Sequence, residues 1–138
     1  MSSPSVEGGT GVGRLGLAAG MVVQELGWDT DVDDDLRVEV EDAIDGSMVE
    51  EAVEAVDAVL LWWRHDDGDL VDGLQDALTD LNGGGVIWLM TPKVGRPGYV
   101  DASDLSEAAV TTGLSLTSSA QVSSDWAAHK VVRPKGRR

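Results

Sequence analysis

The chain has 138 residues, 42% of them hydrophobic, so one domain with an ordinary core is expected rather than a disordered segment. Its 25 acids against 10 bases give a formal net charge of −15, which disfavours nucleic acid as a general partner, and the lack of cysteine excludes disulfides, thiolate-zinc sites and a cysteine nucleophile. The longest apolar run, residues 58–63, is far shorter than the ~20 residues that span a bilayer, so no membrane partner is expected.

Residues 1–13 are Ser/Gly-rich without an apolar stretch, and read as a flexible leader rather than a signal peptide; the cytoplasm is the expected location. Residues 21–26 (MVVQEL) read as a short strand closed by Gly27. Asp29, Asp31, Asp33, Asp34 and Asp35 then precede Leu36, Val40, Ala43 and Ile44 at helical spacing, with Gly46 as the stop. Aspartates in that place cap a helix and suit the positive end of its dipole. Residues 47–55 show no clear period. Residues 56–63 (VDAVLLWW) are apolar except for Asp57, as in a central strand covered on both faces. Asp69 is the expected cap of a helix whose apolar side is Leu70, Val71, Leu74, Ala77, Leu78 and Leu81, closed by Asn82-Gly83-Gly84-Gly85.

Residues 86–90 (VIWLM) are a second buried strand, and residues 91–98 a Pro/Gly loop carrying Lys93 and Arg96. Ser103 is the expected cap of a helix with Leu105, Ala108 and Ala109 inward and Gly113 as its stop. Residues 114–122 and 127–132 form a closing antiparallel pair at one edge, and residues 134–138 a basic tail. The order of elements predicts an α/β, Rossmann-like three-layer sandwich over residues 14–133, mostly parallel with an antiparallel C-terminal strand pair.

The segment LGLAAGMVV, with a strand ending Glu25-Leu26-Gly27, the glycine turn at 82–85 and the terminal strand pair resemble class I S-adenosylmethionine-dependent methyltransferases. More narrowly, GWDTDVDDDL, VDAVLLWWR, GDLVDGLQDAL, VIWLMTPK and the late DW…VVRPK resemble a family of small actinobacterial domains of unknown function. The methyltransferase resemblance implies an acid-x-Gly-x-Gly-x-Gly turn after the first strand, because glycine lets the backbone approach the cofactor. Here that turn reads Glu25-x-Gly27-x-Asp29-x-Asp31, so a reduced methyltransferase-like domain without cofactor is expected. The acid that should grip the ribose after a second strand has no clear place in residues 47–55.

Other chemistry is thin. A calcium loop framed on Asp31, Asp33 and Asp35 would put Leu36 where the turn needs glycine and Asp42 where Glu is usual. His65 and His129 lack zinc-ligand spacing, so no metal is expected. His65 follows the 56–63 strand, at the sheet edge where α/β proteins place their sites, but no nucleophile motif accompanies it; His129 falls in an edge strand. Trp62, Trp63 and Trp88 read as core, with the adjacent pair on opposite faces, while Trp28 and Trp126 either cover core ends or line a pocket mouth. Lys130, Arg133, Lys135, Arg137 and Arg138 make a small basic group whose approach to nucleic acid the acidic body opposes.

Two functions follow. The first is a non-catalytic protein-interaction or regulatory module, whose acidic stretch 29–57 attracts an unknown, basic protein partner. The alternative is an anionic-metabolite site, binding or enzymatic, at the carboxyl edge of the sheet, formed by Trp28, Asp29, Arg64, His65, Thr91, Lys93 and Arg96. Oligomeric state is left open.

Overall fold

The computed structural model describes residues 15–134; the expected leader at 1–13 and residues 135–138 of the expected tail lie outside them. The elements are β1 (Val23–Leu26), α1 (Asp34–Ile44), β2 (Val56–Trp62), a 3-10 turn (His65–Asp67), α2 (Leu70–Leu78), β3 (Leu81–Pro92), α3 (Ala102–Thr111), β4 (Ser115–Ala120) and β5 (Trp126–Val132). They build one sheet of order β1-β2-β3-β5-β4, in which β1, β2 and β3 run parallel and β5 is antiparallel to both neighbours.

Local chemistry sets the helix starts. Asp33 accepts from the Leu36 amide at 3.0 Å and Asp69 from the Val71 amide at 2.9 Å, so each carboxylate satisfies an otherwise orphan donor. Leu36, Val40 and Ile44, four apart, bury one side of α1 against Trp62, Trp88, Met90 and Trp126. α2 and α3 cover the opposite face, over Val59, Leu61, Ile87, Leu89 and Val131. The expected three layers are present.

Several boundaries differ from expectation. α2 stops at Leu78, and Leu81 with the 82–85 glycine turn belongs to β3. Long-range bonds hold that extended start: Arg133 donates to the carbonyls of Leu78, Leu81 and Asn82, and Asn82 Nδ2 donates to Asp57 at 2.9 Å. At Gly85 a Cβ would press on the Leu81 side chain and lie 2.9 Å from the Asp57 carbonyl, so glycine there permits a close strand approach rather than a helix stop. α3 is entered from Asp101, whose backbone is extended, so Ser103 lies inside the helix. β3 runs on to Pro92, taking Thr91 out of the expected loop. α1 closes on Asp45 in the left-handed region (φ 58°), one residue before Gly46. His129 is not on an edge, because β5 inserts between β3 and β4 and leaves β4 outside.

The ambiguous segment 47–55 creates the fold's main crevice. Val49 makes a single parallel bridge to Gln24 on the outer side of β1, after which the chain returns across to β2 on the inner side. Connections therefore leave β1 in one direction and β2 in the other. That is a topological switch point, and it opens a crevice at the carboxyl ends of these strands.

Candidate functional site at the β1/β2 crevice

Glu25, near the end of β1, is buried at 5% exposure. Its carboxylate accepts from Arg37 Nε and Nη2, each at 2.7 Å, and from Trp62 Nε1 at 2.9 Å. Arg37 sits in α1, so one acid ties helix, first strand and second strand together. The bond to Glu25 outweighs burial and raises the Arg37 pKa above its ordinary value, with Glu41 and Asp34 adding to it. Gly27 follows with φ 78°, and a Cβ there would collide with the carbonyl oxygen of Trp62.

Beyond Gly27 the chain folds over Arg64, which leaves the end of β2. Arg64 Nη1 donates to the Gly27 carbonyl at 2.8 Å and to Asp67 at 3.0 Å, and Nε donates to Asp31 at 2.9 Å, with Nη2 on the second Asp31 oxygen. The guanidinium lies 5.2 Å from the Trp126 ring centre, and Trp126 Nε1 donates to the Asp31 carbonyl at 3.2 Å. Burial opposes the Arg64 charge, but its bonds to Asp31 and Asp67 win and raise its pKa. The same bond holds the Asp31 carboxyl below the usual range. Asp29 is exposed and accepts from the Thr30 amide at 2.7 Å. Asp33 accepts from Ser123 Oγ at 2.6 Å, tying the acidic loop to the β4–β5 hairpin.

The seven residues expected to form one site do not come together. Trp28, half exposed, and Asp29 stand on the crevice loop beside Arg64. Arg64 was expected to hold an anion, but its donors face carboxylates and carbonyls of the chain itself. His65 opens the 3-10 turn and lines a cavity of about 300 Å³ with Asp69, Asp104 and Glu107, an acidic surround that disfavours an anion. Arg96 pairs with Asp125 at 3.1 Å. Thr91 and Lys93 line a different cavity, on the α3 side of the sheet. Trp126 is both core and pocket wall: it is 3% exposed, stacks edge-on against Trp62 with ring centres 4.8 Å apart, and lines a small cavity with Asp31, Arg96 and Asp125.

Sequence reasoning missed His129. Its Nε2 lies 3.1 Å from Thr91 Oγ1 and its Nδ1 3.3 Å from Ser119 Oγ, and burial pushes the imidazole below its ordinary pKa. Thr91 is 38 residues away, and no local spacing announces the pair.

A family described as "Protein of unknown function (DUF3052)" matches residues 12–135. The chain belongs to that family. An uncharacterised protein of Mycobacterium tuberculosis H37Rv is 48% identical over 125 residues, covering 90% of this chain and 78% of that protein. Among solved structures, an S-adenosylmethionine-dependent methyltransferase from Aquifex aeolicus superposes with a TM-score of 0.58 at 11% identity, covering 88% of this chain and 87% of that one. The ribosomal protein L11 methylase from Lactobacillus delbrueckii subsp. bulgaricus does so with 0.55 at 12% identity, covering 91% and 75%. At such identities the likeness fixes the DUF3052 fold as methyltransferase-like and Rossmann-like. Among the described residues no helix is long and apolar enough to cross a membrane.

The residues of this DUF3052 chain do not fit the cofactor of that fold. The glycine turn that should expose backbone carries Asp29 and Asp31, and Asp31 is engaged by Arg64. The second strand is reduced to the one bridge at Val49; the acid after it, Glu50, is exposed and contributes its carbonyl to Gln24 Nε2 at 3.1 Å.

Proposed function

We propose that this chain is a methyltransferase-like domain that transfers no methyl group and serves as a cytoplasmic protein-interaction or regulatory module. The observation that carries the reading is the Arg64 guanidinium, which bridges Gly27, Asp31 and Asp67 across the crevice where the fold's cofactor would lie. A ligand entering there must break several charge-assisted bonds and then face the freed carboxylates, a cost that its own contacts have to exceed. The outer surface supports the second half of the reading. Asp35, Asp42, Asp45, Glu51 and Glu54 are exposed, and none has a cationic group within 4.0 Å among the described residues. Such a surface suits a basic protein.

Titration calorimetry tests the first half: S-adenosylmethionine up to about 1 mM should give no saturable heat, and a dissociation constant in the low micromolar range would restore the enzyme class. For the second half, the wild-type chain should retain a basic protein from native lysate, and a D42K/E51K/E54K variant whose melting temperature is no lower than that of the wild type should lose it. Equal retention by both would remove the acidic face from the proposal.

A further inference from the structure

The cavity behind the sheet differs from every acidic surface around it. It lies between the carboxyl end of β3, the loop to α3 and the end of β4, with a volume of about 420 Å³, within the usual range for small-molecule sites. Thr91, Lys93, Tyr99, Leu105, Gln121 and His129 line it together with small apolar groups, and no acid is among its lining residues. That absence is informative in a chain with 25 acids. Lys93 Nζ donates to the neutral Gln121 Oε1 at 3.0 Å, and no carboxylate lies within 4.0 Å of it among the described residues. Arg37, Arg64 and Arg96 are paired with acids, whereas Lys130 and Arg133, like Lys93, have no acid within 4.0 Å among the described residues.

The walls are apolar: Val100 and Leu105 are buried beneath, while Val94 at the mouth is 77% exposed. The polar groups on the sheet side are Thr91, 2% exposed, and His129, a hydroxyl and an imidazole that donate or accept as required. One point cation, neutral hydrogen-bonding groups and an apolar wall select a singly charged ligand with an apolar body. A phosphate dianion asks for more positive charge or a planar Arg fork, neither of which this cavity offers.

We propose that this cavity binds a small monocarboxylic acid, its carboxylate on Lys93 and its apolar body against Val94, Val100 and Leu105. The site is on the α3 face and is independent of the closed β1/β2 crevice, so its failure would leave the reading of that crevice untouched.

The experiment titrates hexanoate and benzoate, with hexanamide, benzamide and inorganic phosphate as controls, into 15N-labelled full-length protein. The acids should bind saturably, with dissociation constants at or below about 1 mM, and shift the amide signals of Thr91, Lys93 and His129. The amides should bind at least about tenfold more weakly, since they lose the charge-assisted bond. Lys93→Gln should cost a similar factor, and Val94→Glu, placing a like charge at the exposed mouth, should weaken the acids further, both with unchanged melting temperature. Acids and amides binding equally, phosphate displacing the acids, Lys93→Gln binding like wild type, or no saturation by either acid at about 10 mM would each overturn the assignment.

Discussion

Glu25 holds three elements through one carboxylate, and its worth depends on that burial. Its side chain is 4% exposed, whereas Arg37 is 29% exposed and Asp34, the second acid on Arg37, is 77% exposed. Glu25→Gln keeps the shape but leaves Arg37 without its bidentate partner, and should cost about 2–3 kcal/mol in urea unfolding. Asp34→Asn, at a 3.7 Å surface contact, should change stability by less than about 0.5 kcal/mol. His129 predicts a pH effect of definite sign. Burial lowers its folded pKa, so the unfolded state binds the proton more readily. Stability is therefore complete above the ordinary histidine value of about 6.5 and falls as pH drops through it toward the lower folded value. Melting curves between about pH 7.5 and pH 5 should show that loss as the difference between the wild type and His129→Gln.

At the scale of elements, the β1–β2 junction rests on Gly27. Its positive φ and its closeness to the Trp62 carbonyl act together, so Gly27→Ala forces both backbone strain and separation of the strand ends. Loss of more than about 2 kcal/mol is expected in denaturant unfolding; a near-neutral result would mean that the strand ends part freely. β2 and the core of β3 were legible because strands covered on both faces read as continuous apolar runs, and α1 and α2 because aspartates precede their periodic apolar residues. The start of β3 was not legible. Asn82-Gly83-Gly84-Gly85 has turn composition, and what keeps it extended is Arg133 arriving from 51 residues away. The candidate sites suffered from the same limit. Arg64 and Asp31 are 33 residues apart, and a cation beside acids in sequence looks available until the fold shows which acid takes it. Chain order puts His129 on an edge strand, but sheet order differs from chain order for the last two strands and makes β4 the edge.

Over the whole molecule, the excess of acid makes folding compete with self-repulsion. Residues 1–90 hold 21 acids and 3 bases, while residues 91–138 hold 4 acids and 7 bases, so the repulsion is concentrated in the first two-thirds of the chain, on α1, α2 and the loops beside them. Only five ion pairs join described residues, and of these only Glu25–Arg37 involves a buried acid. Salt weakens the exposed pairs, each worth at most about 1 kcal/mol, and it also screens the far more numerous unpaired carboxylates. The second effect should dominate because folding brings those acids within a Debye length of one another at low salt, about 30 Å at 0.01 M. Raising sodium chloride from about 0.01 M to about 0.5 M should therefore raise the melting temperature, by roughly 3–5 °C if the relief is about 1 kcal/mol. Chloride is the proper salt, since sulfate stabilises folded proteins by exclusion whatever their charge. A D42N/D45N variant separates screening from other salt effects. Both acids are exposed on or beside α1 and lack a cationic partner, so neutralising them should raise the low-salt melting point and leave the high-salt one nearly unchanged. A melting temperature that falls with chloride, or a variant that gains equally at both salts, would show that the acidic surface does not oppose the fold through its field.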